Sequence, residues 1–154
     1  MGERSRFSLP SLGIIPARTG APDVDQAREA LGGRVSTEPG AGAHVRVTMK
    51  RGAAAIGVLV CVSGDERDVW IGDGRFVRAR SSEVAVLVEI EESLASVAAD
   101  ATRFGLLSEG SAVLYVDRAQ VERHGTLVEK CRYGGLVSSG EKIVAVSFRR
   151  LRGA

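Results

Sequence analysis

The chain has 154 residues, of which 44% are hydrophobic and 26% charged, and its formal net charge is +2 at pH 7. This length suits one ordinary domain or two small ones. Such a mild charge is not typical of a dedicated nucleic-acid-binding domain, which concentrates basic residues on one face. No apolar stretch reaches the roughly 20 residues that a membrane-spanning helix needs, and the first residues lack the apolar core of a signal peptide. We therefore expect a cytoplasmic protein with no membrane span.

Residues 1–43 have the composition of a tail. They contain all four prolines and many glycine, alanine, serine and arginine residues, which together bury too little apolar surface to fold alone. A short helix is predicted from Asp23 to Leu31, where two glycines would end it. We expect the tail to be flexible or docked on a partner or neighbouring subunit. The apolar side chains available for docking are Phe7, Leu9, Leu12, Ile14 and Ile15.

Residues 44–90 are predicted to form a first β module. Residues 44–49 alternate between apolar and polar, which is the pattern of a half-buried strand, and residues 56–62 form an apolar run typical of a central strand. Asp73-Gly74 lies between two apolar runs and predicts a tight hairpin turn. Residues 84–90 are mostly aliphatic and predict the last strand of the module.

A helix and a second β module follow. Residues 91–110 are predicted to form a linking helix, because apolar residues recur at spacings of three and four from Leu94 to Phe104. Residues 111–154 are predicted to form the second module. Its strands are expected at 112–116, 125–130, 135–137 and 142–148.

The two β modules are related by a faint duplication. Gly57 aligns with Gly125, which lies 68 positions further along the chain, and each glycine opens an apolar strand. After a one-residue deletion, Trp70 aligns with Val137. A repeated small β module indicates a binding protein more than an enzyme, and the paired glycines are expected to share a backbone role.

Short strands, a glycine that opens the second strand and a tight hairpin together resemble the small SH3-like barrels of the KOW and Tudor kind. The resemblance covers residues 44–90 and 111–151. It implies a mainly β fold with a minor helical part, in which two SH3-like barrels are joined by one helix and preceded by an extended tail. It also implies a binding function.

The residues that usually carry catalysis or metal binding are scattered. His44 and His124 are the only histidines. His44 begins a predicted strand, and His124 follows Glu122-Arg123 in a turn that is expected to be solvated, so neither fits the base of an activated nucleophile. Cys61 and Cys131 are too far from the histidines and from each other in sequence to show the spacing of a zinc site. We therefore predict no catalytic, cofactor or metal site, and a protein that is not an enzyme.

Cys131 leaves two interpretations open. Its neighbours Lys130 and Arg132 carry positive charges that could lower the pKa of the thiol and make it reactive. The alternation of a strand instead turns both cations outward and leaves the thiol as a small buried hydrophobic group. We favour the second interpretation.

Basic and aromatic side chains are the best binding candidates. Arginines lie on the returning strand of the first hairpin and at the end of the second module, where they could contact phosphates or an acidic partner. Two aromatic rings could stack on an exposed base. The candidate partner-binding or nucleic-acid-binding residues are Arg75, Arg78, Arg80, Arg149, Arg150, Arg152, Trp70 and Tyr133.

Two functions are consistent with these residues. Small barrels have open edges that accept a partner strand, so a non-enzymatic binding or scaffold protein ranks first. It would be a component or adaptor of a larger assembly, with a protein partner or a homo-oligomer. A nucleic-acid-binding accessory factor that uses the arginine-rich strand faces is the alternative. Neither function implies a cofactor.

Overall fold

The structure, a computed structural model, describes residues 13–16, 21–36 and 38–154. In these residues the chain forms eleven β-strands and two α-helices. The strands are β1 (Gly13–Pro16), β2 (His44–Thr48), β3 (Ala54–Ser63), β4 (Glu66–Gly72), β5 (Arg75–Arg80), β6 (Val84–Val86), β7 (Ala112–Val116), β8 (Glu122–Lys130), β9 (Gly134–Ser139), β10 (Lys142–Ser147) and β11 (Leu151–Gly153). The helices are α1 (Ala21–Ala30) and α2 (Ala95–Gly105).

The chain divides into two compact units. The described part of the first unit is residues 38–105, and that of the second is residues 13–16, 21–36 and 106–154. Helix α1, which the sequence placed in a separate tail, belongs to the second unit, and α2, which it placed in a linker, belongs to the first. Three of the apolar side chains predicted to dock, those of Phe7, Leu9 and Leu12, lie outside the described residues.

The first unit is an antiparallel sheet in the order β5-β4-β3-β2-β6. One face carries its aliphatic core, and α2 packs on β3. Because β3 is enclosed in this way, six consecutive residues from 57 to 62 are buried, as the unbroken apolar run predicts. The core cluster consists of Val45, Val47, Leu59, Val62, Val69, Val77 and Ala79.

The second unit is an antiparallel sheet in the order β1-β10-β9-β8-β7-β11. Helix α1 packs on β9 and β10, and two core residues come from this segment: Ala27 in the helix and Leu31 directly after it. They are buried against the side chains of Cys131, Leu136 and Ala145. The segment that contains α1 is therefore part of this unit's core.

The prediction of a mainly β protein with two β modules is confirmed at the level of two antiparallel sheets. The closed barrels are not confirmed. Both sheets are open, because the two edge strands of each sheet, among the described strands, do not pair with each other. Closure needs a ladder of hydrogen bonds between the first and last strands. The last strands, β6 and β11, have only three residues each, and each pairs with one neighbour.

Matching hydrogen bonds support the duplication. The Gly42 N–H donates to the Leu59 carbonyl at 2.7 Å, and the Gly110 N–H donates to the Leu127 carbonyl at the same distance. Both β3 and β8 also shift register at equivalent points, directly after Leu59 and directly after Leu127. Since Gly42 and Gly110 precede the repeat found in sequence, the duplication begins earlier than sequence similarity indicates.

The structure moves the one-residue deletion in the repeat. Val58 faces Trp70 across the ladder of the first unit, whereas Thr126 faces Ser138 at the equivalent point of the second. Trp70 is thus equivalent to Ser138, and its predicted match with Val137 is wrong by one position. The missing residue lies in the hairpin turn after the aligned strands, where β4 carries a bulge. Turns tolerate such changes because their backbone is exposed.

Two arginine–glutamate pairs attach the N-terminal segment to the second unit. Arg28 of α1 donates to both carboxylate oxygens of the largely buried Glu129, with the Nη2–Oε1 distance at 3.0 Å. Arg34 donates to both oxygens of Glu109, at 2.8 and 3.3 Å. Paired donors of this kind fix orientation as well as contributing energy. These pairs, together with the α1 packing, explain why the segment is ordered despite its tail-like composition.

The Arg34–Glu109 pair makes the stability of the second unit depend on acid pH. The hydrogen bond from Arg34, with help from the Lys130 N–H, holds the pKa of the Glu109 carboxyl below its ordinary value. Because the folded pKa is the lower one, the carboxylate stabilises the fold above the ordinary pKa and loses this effect as pH falls through the folded pKa. After solvent screening the contribution should be about 1 kcal/mol or less.

We expect Glu109→Gln to destabilise the protein at neutral pH and to reduce its loss of stability between neutral and acid pH. Urea midpoints measured through the acid range test this. Glu141→Gln is the matched control, because Glu141 is exposed and forms no ion pair with a described residue. Equal pH profiles for the Glu109→Gln and Glu141→Gln variants would contradict the role of Glu109.

Candidate partner-binding site

The three arginines predicted from the first module lie on β5, an edge strand of the first sheet. They are not equivalent. The Arg78 Nε lies 2.9 Å from the Asp68 Oδ1, and the Asp68 side chain is completely buried. A buried carboxylate needs a charged or hydrogen-bonding partner, since burying an isolated charge is costly. Arg78 is therefore primarily a structural residue.

Arg75 and Arg80 occupy the two ends of β5. Arg75 is half-buried, and its Nε makes a long hydrogen bond of 3.4 Å to the Gly72 carbonyl. Arg80 is exposed. Neither forms an ion pair with a residue that the structure describes. Their charges are available to an acidic partner along the strand.

The C-terminal arginines belong to the second unit. Arg149 and Arg150 are exposed, and Arg150 donates to the Asp117 carbonyl at 3.4 Å. Arg152 forms an ion pair with Glu122 on β8. The six predicted arginines therefore form two groups, three in each unit, and Arg78 and Arg152 each pair with a carboxylate.

The two predicted aromatic residues lie in different environments. Trp70 on β4 faces Phe76 on β5 and is half-buried, so part of its ring reaches the surface. Tyr133 is only 1% exposed. Its ring fills the space beside Gly32, where an added Cβ atom would lie 2.7 Å from a ring carbon. Tyr133 offers no open face to a base and instead packs the loop that follows α1.

The Cys131 thiol is buried, as strand alternation predicts. Burial is the main reason that its pKa rises to about 12, and the neighbouring Glu129 carboxylate adds to the effect. The cation before it in sequence does not counteract this, because the Lys130 ammonium donates to the Leu107 carbonyl. Since the thiolate is the nucleophile, a thiol with such a pKa is unreactive at neutral pH.

An exposed aliphatic surface in the first unit was not predicted from the sequence. Val86, Val88 and Ile90 are 71%, 97% and 65% exposed, and we call these three residues the apolar ridge. A groove of about 900 Å³, lined by Ile56 and residues 87–92, lies beside it. The predicted strand over residues 84–90 ends at Val86, so the ridge extends beyond the sheet and does not enter the core.

Carboxylates accompany the apolar ridge. Glu89, Glu91 and Glu92 are all exposed, and none forms an ion pair with a described residue. The signal in the sequence is the alternation after β6, where Val86, Val88 and Ile90 occupy every second position and Glu89 and Glu91 lie between them. In an extended segment this alternation places the apolar and acidic side chains on opposite sides.

The two units differ at one sheet edge. In the second unit, β1 pairs antiparallel with the outer edge of β10 through four residue pairs, among them Ile14 with Val144. In the first unit, the equivalent strand is β5, and no described strand pairs with its outer edge. An unpaired edge exposes backbone N–H and C=O groups that can bind an extended segment.

Cavities and ligand clusters elsewhere are less distinctive. A cavity of about 660 Å³ in the second unit is lined by both signs of charge, including Arg118, Lys142 and Glu141. Among the described residues, no three histidine, cysteine, aspartate or glutamate side chains are grouped as metal ligands. Among the helices of the described residues, none combines the length and the apolar character that crossing a membrane requires.

No family model matches the chain, and no curated protein shows significant sequence similarity to it. The function is therefore inferred from the surfaces described above.

Proposed function

We propose that the protein is a non-enzymatic binding or scaffold protein, a component or adaptor of a larger protein assembly. One observation carries this proposal: the three aliphatic side chains of the apolar ridge are each at least 65% exposed. Single exposed apolar residues are ordinary, but contiguous ones beside a groove mark interaction sites. Burying these side chains would contribute roughly 1.5–3 kcal/mol each, which is enough to anchor a partner.

We also propose that each unit is an SH3-like module whose sheet does not close into a barrel. Four sequential strands pair with their neighbours, and the fifth pairs back with the first, in both units. A 3-10 turn precedes the fifth strand in each, at Ser81–Glu83 and at Phe148–Arg150. This shared order supports the resemblance, and small β modules of this kind serve as binding platforms.

A site-specific cross-linker tests the proposed function. We expect a photoreactive residue at Val88 to give a discrete protein adduct in the host cell, because this side chain is 97% exposed on the apolar ridge. Thr126 is the matched control position, since it is exposed on a strand of the second unit. No adduct at Val88, or the same adducts at Val88 and Thr126, would overturn the proposal.

Nucleic-acid binding remains the second proposal, supported by the exposed Arg149 and Arg150 of the second unit and by Arg118 and Lys142 at its cavity. It ranks lower because Arg78 and Arg152 are held by carboxylates. Binding to RNA or DNA should weaken linearly with the logarithm of salt concentration, and no retention at low salt would exclude it.

A further inference from the structure

We infer that the protein self-associates head to tail, with residues 86–91 of one copy lying along the outer edge of β5 in the next copy. The inference rests on the proposed function and names the partner of the apolar ridge as a second copy of this chain. Two surfaces of the first unit carry it, one basic and one acidic, and a precedent within the same chain shows how they fit.

The precedent is β1. It is an aliphatic segment, and it pairs antiparallel with the outer edge of β10. Strand β10 is the counterpart of β5, because Val77 and Val144 face equivalent partners in their sheets, Val69 and Val137. The duplicated sheet therefore accepts an aliphatic segment at this edge in one unit, while no described strand occupies the same edge in the other.

Residues 86–91, which precede a 3-10 helix at Glu92–Leu94, have the composition that this edge requires. The apolar ridge occupies every second position, so an extended conformation places Val86, Val88 and Ile90 on one side. Within the described part of the chain, the backbone groups of residues 88–90 make no hydrogen bonds. They are free to pair with the exposed edge of a strand.

Charge decides which surface pairs with which. The β5 edge carries Arg75 and Arg80, which have no ion-pair partner among described residues. The segment after β6 carries Glu89, Glu91 and Glu92, all exposed. Symmetric pairing of the ridge with itself would bring carboxylates together, and symmetric pairing of β5 edges would bring arginines together. Both arrangements are disfavoured by like-charge repulsion.

A contact between two different surfaces of the same chain is heterologous. Each copy in such an assembly keeps one surface free to bind a further copy. Repeated contacts therefore form a closed ring if the rotation between neighbouring copies closes, and a linear assembly if it does not. Head-to-tail association through the first unit would leave the second unit available for another partner, as expected for an assembly component.

Charge reversal on the purified full chain tests the inference by sedimentation. The edge variant is Arg75→Glu with Arg80→Glu, and the segment variant is Glu89→Arg with Glu91→Arg. We expect the wild type to form concentration-dependent oligomers that dissociate at high salt. Each variant alone should self-associate at least roughly tenfold more weakly, because attraction becomes repulsion. An equimolar mixture should recover association, since each variant retains one natural surface.

The control variant is Arg118→Glu with Arg150→Glu, which makes the same change in charge on the second unit and should leave association unchanged. Circular dichroism establishes that each variant is folded. A monomeric wild type, or an edge variant that associates as the wild type does, would overturn the inference. In the cross-linking experiment, a Val88 adduct with a different protein would also overturn the inference of self-association, but it would leave the proposed function intact. An adduct of twice the chain's mass supports both.

Discussion

Replacing Gly57 by alanine should destabilise the first unit by about 3 kcal/mol, near the upper end of the cost of overpacking a well-packed site. An added Cβ atom would lie 2.1 Å from the Trp70 carbonyl oxygen and 2.9 Å from a Val69 methyl carbon. The first of these atoms belongs to the backbone of the adjacent strand, so it can move only if the sheet distorts. Urea unfolding followed by the fluorescence of Trp70, the only tryptophan, measures the change directly.

Gly125→Ala should have a comparable effect in the second unit. Its Cβ atom would lie 2.4 Å from a Val137 methyl carbon and 2.7 Å from the Ser138 carbonyl oxygen. Gly64→Ala is the matched control: no atom lies within 4 Å of its added Cβ, although its φ of +58° costs about 1 kcal/mol for a residue with a side chain. If Gly57→Ala and Gly64→Ala destabilised the protein equally, the lack of space for a Cβ atom would not explain why glycine occurs at the equivalent positions 57 and 125 of the two modules.

Replacing Arg78 by alanine is expected to cost roughly 3 kcal/mol, because it removes a charged partner from a buried carboxylate. The Asp68 side chain is completely buried and accepts from the Arg78 Nε at 2.9 Å. The same replacement at Arg80, which is exposed, should change the free energy of unfolding by less than about 0.5 kcal/mol. Thermal or urea unfolding of the two single variants compares them.

A double-mutant cycle separates the ion pair from lost packing. When Asp68 is already alanine, Arg78→Ala should cost much less, because no buried carboxylate remains to be compensated. A cost for Arg78→Ala that is the same in both backgrounds would show that Arg78 acts through packing alone. If the ion pair is confirmed, the charge that β5 presents to a partner comes mainly from Arg75 and Arg80.

The β-strands and the helix α1 show which features of the fold could be predicted from the sequence and which could not. Most strands of the two sheets, the hairpin turn at Asp73-Gly74 and the paired glycines were predicted from local patterns, and the structure contains them. The short strands β1 and β11 were not predicted, and the strand expected over residues 84–90 ends at Val86. The helix expected from Asp23 to Leu31 is present as α1, but its environment was missed. Composition suggested a tail because it measures only what the segment buries on its own, and Leu31 is buried by residues of the second module.

The binding role of the candidate residues stays a prediction, but their positions can be compared with the structure. The sequence placed Arg75, Arg78 and Arg80 on one strand, which is β5. It could not show that Arg78 pairs with a buried carboxylate, because Asp68 is ten positions away. The apolar ridge was assigned to a strand because alternating aliphatic residues have the same pattern whether their apolar side is covered or open. Coverage depends on which element reaches that side, and no described element covers Val88.

The sequence by itself determined most strands of the two sheets, the hairpin turn at Asp73-Gly74 and the duplication, because side-chain alternation and glycine positions act between residues that are close along the chain. Only the tertiary structure decided which edges are paired, which charges are neutralised and where the N-terminal segment lies. These features depend on contacts between distant residues, such as the pair of Arg28 and Glu129, which are 101 positions apart. Burial and charge compensation are properties of such contacts, and no local pattern encodes them.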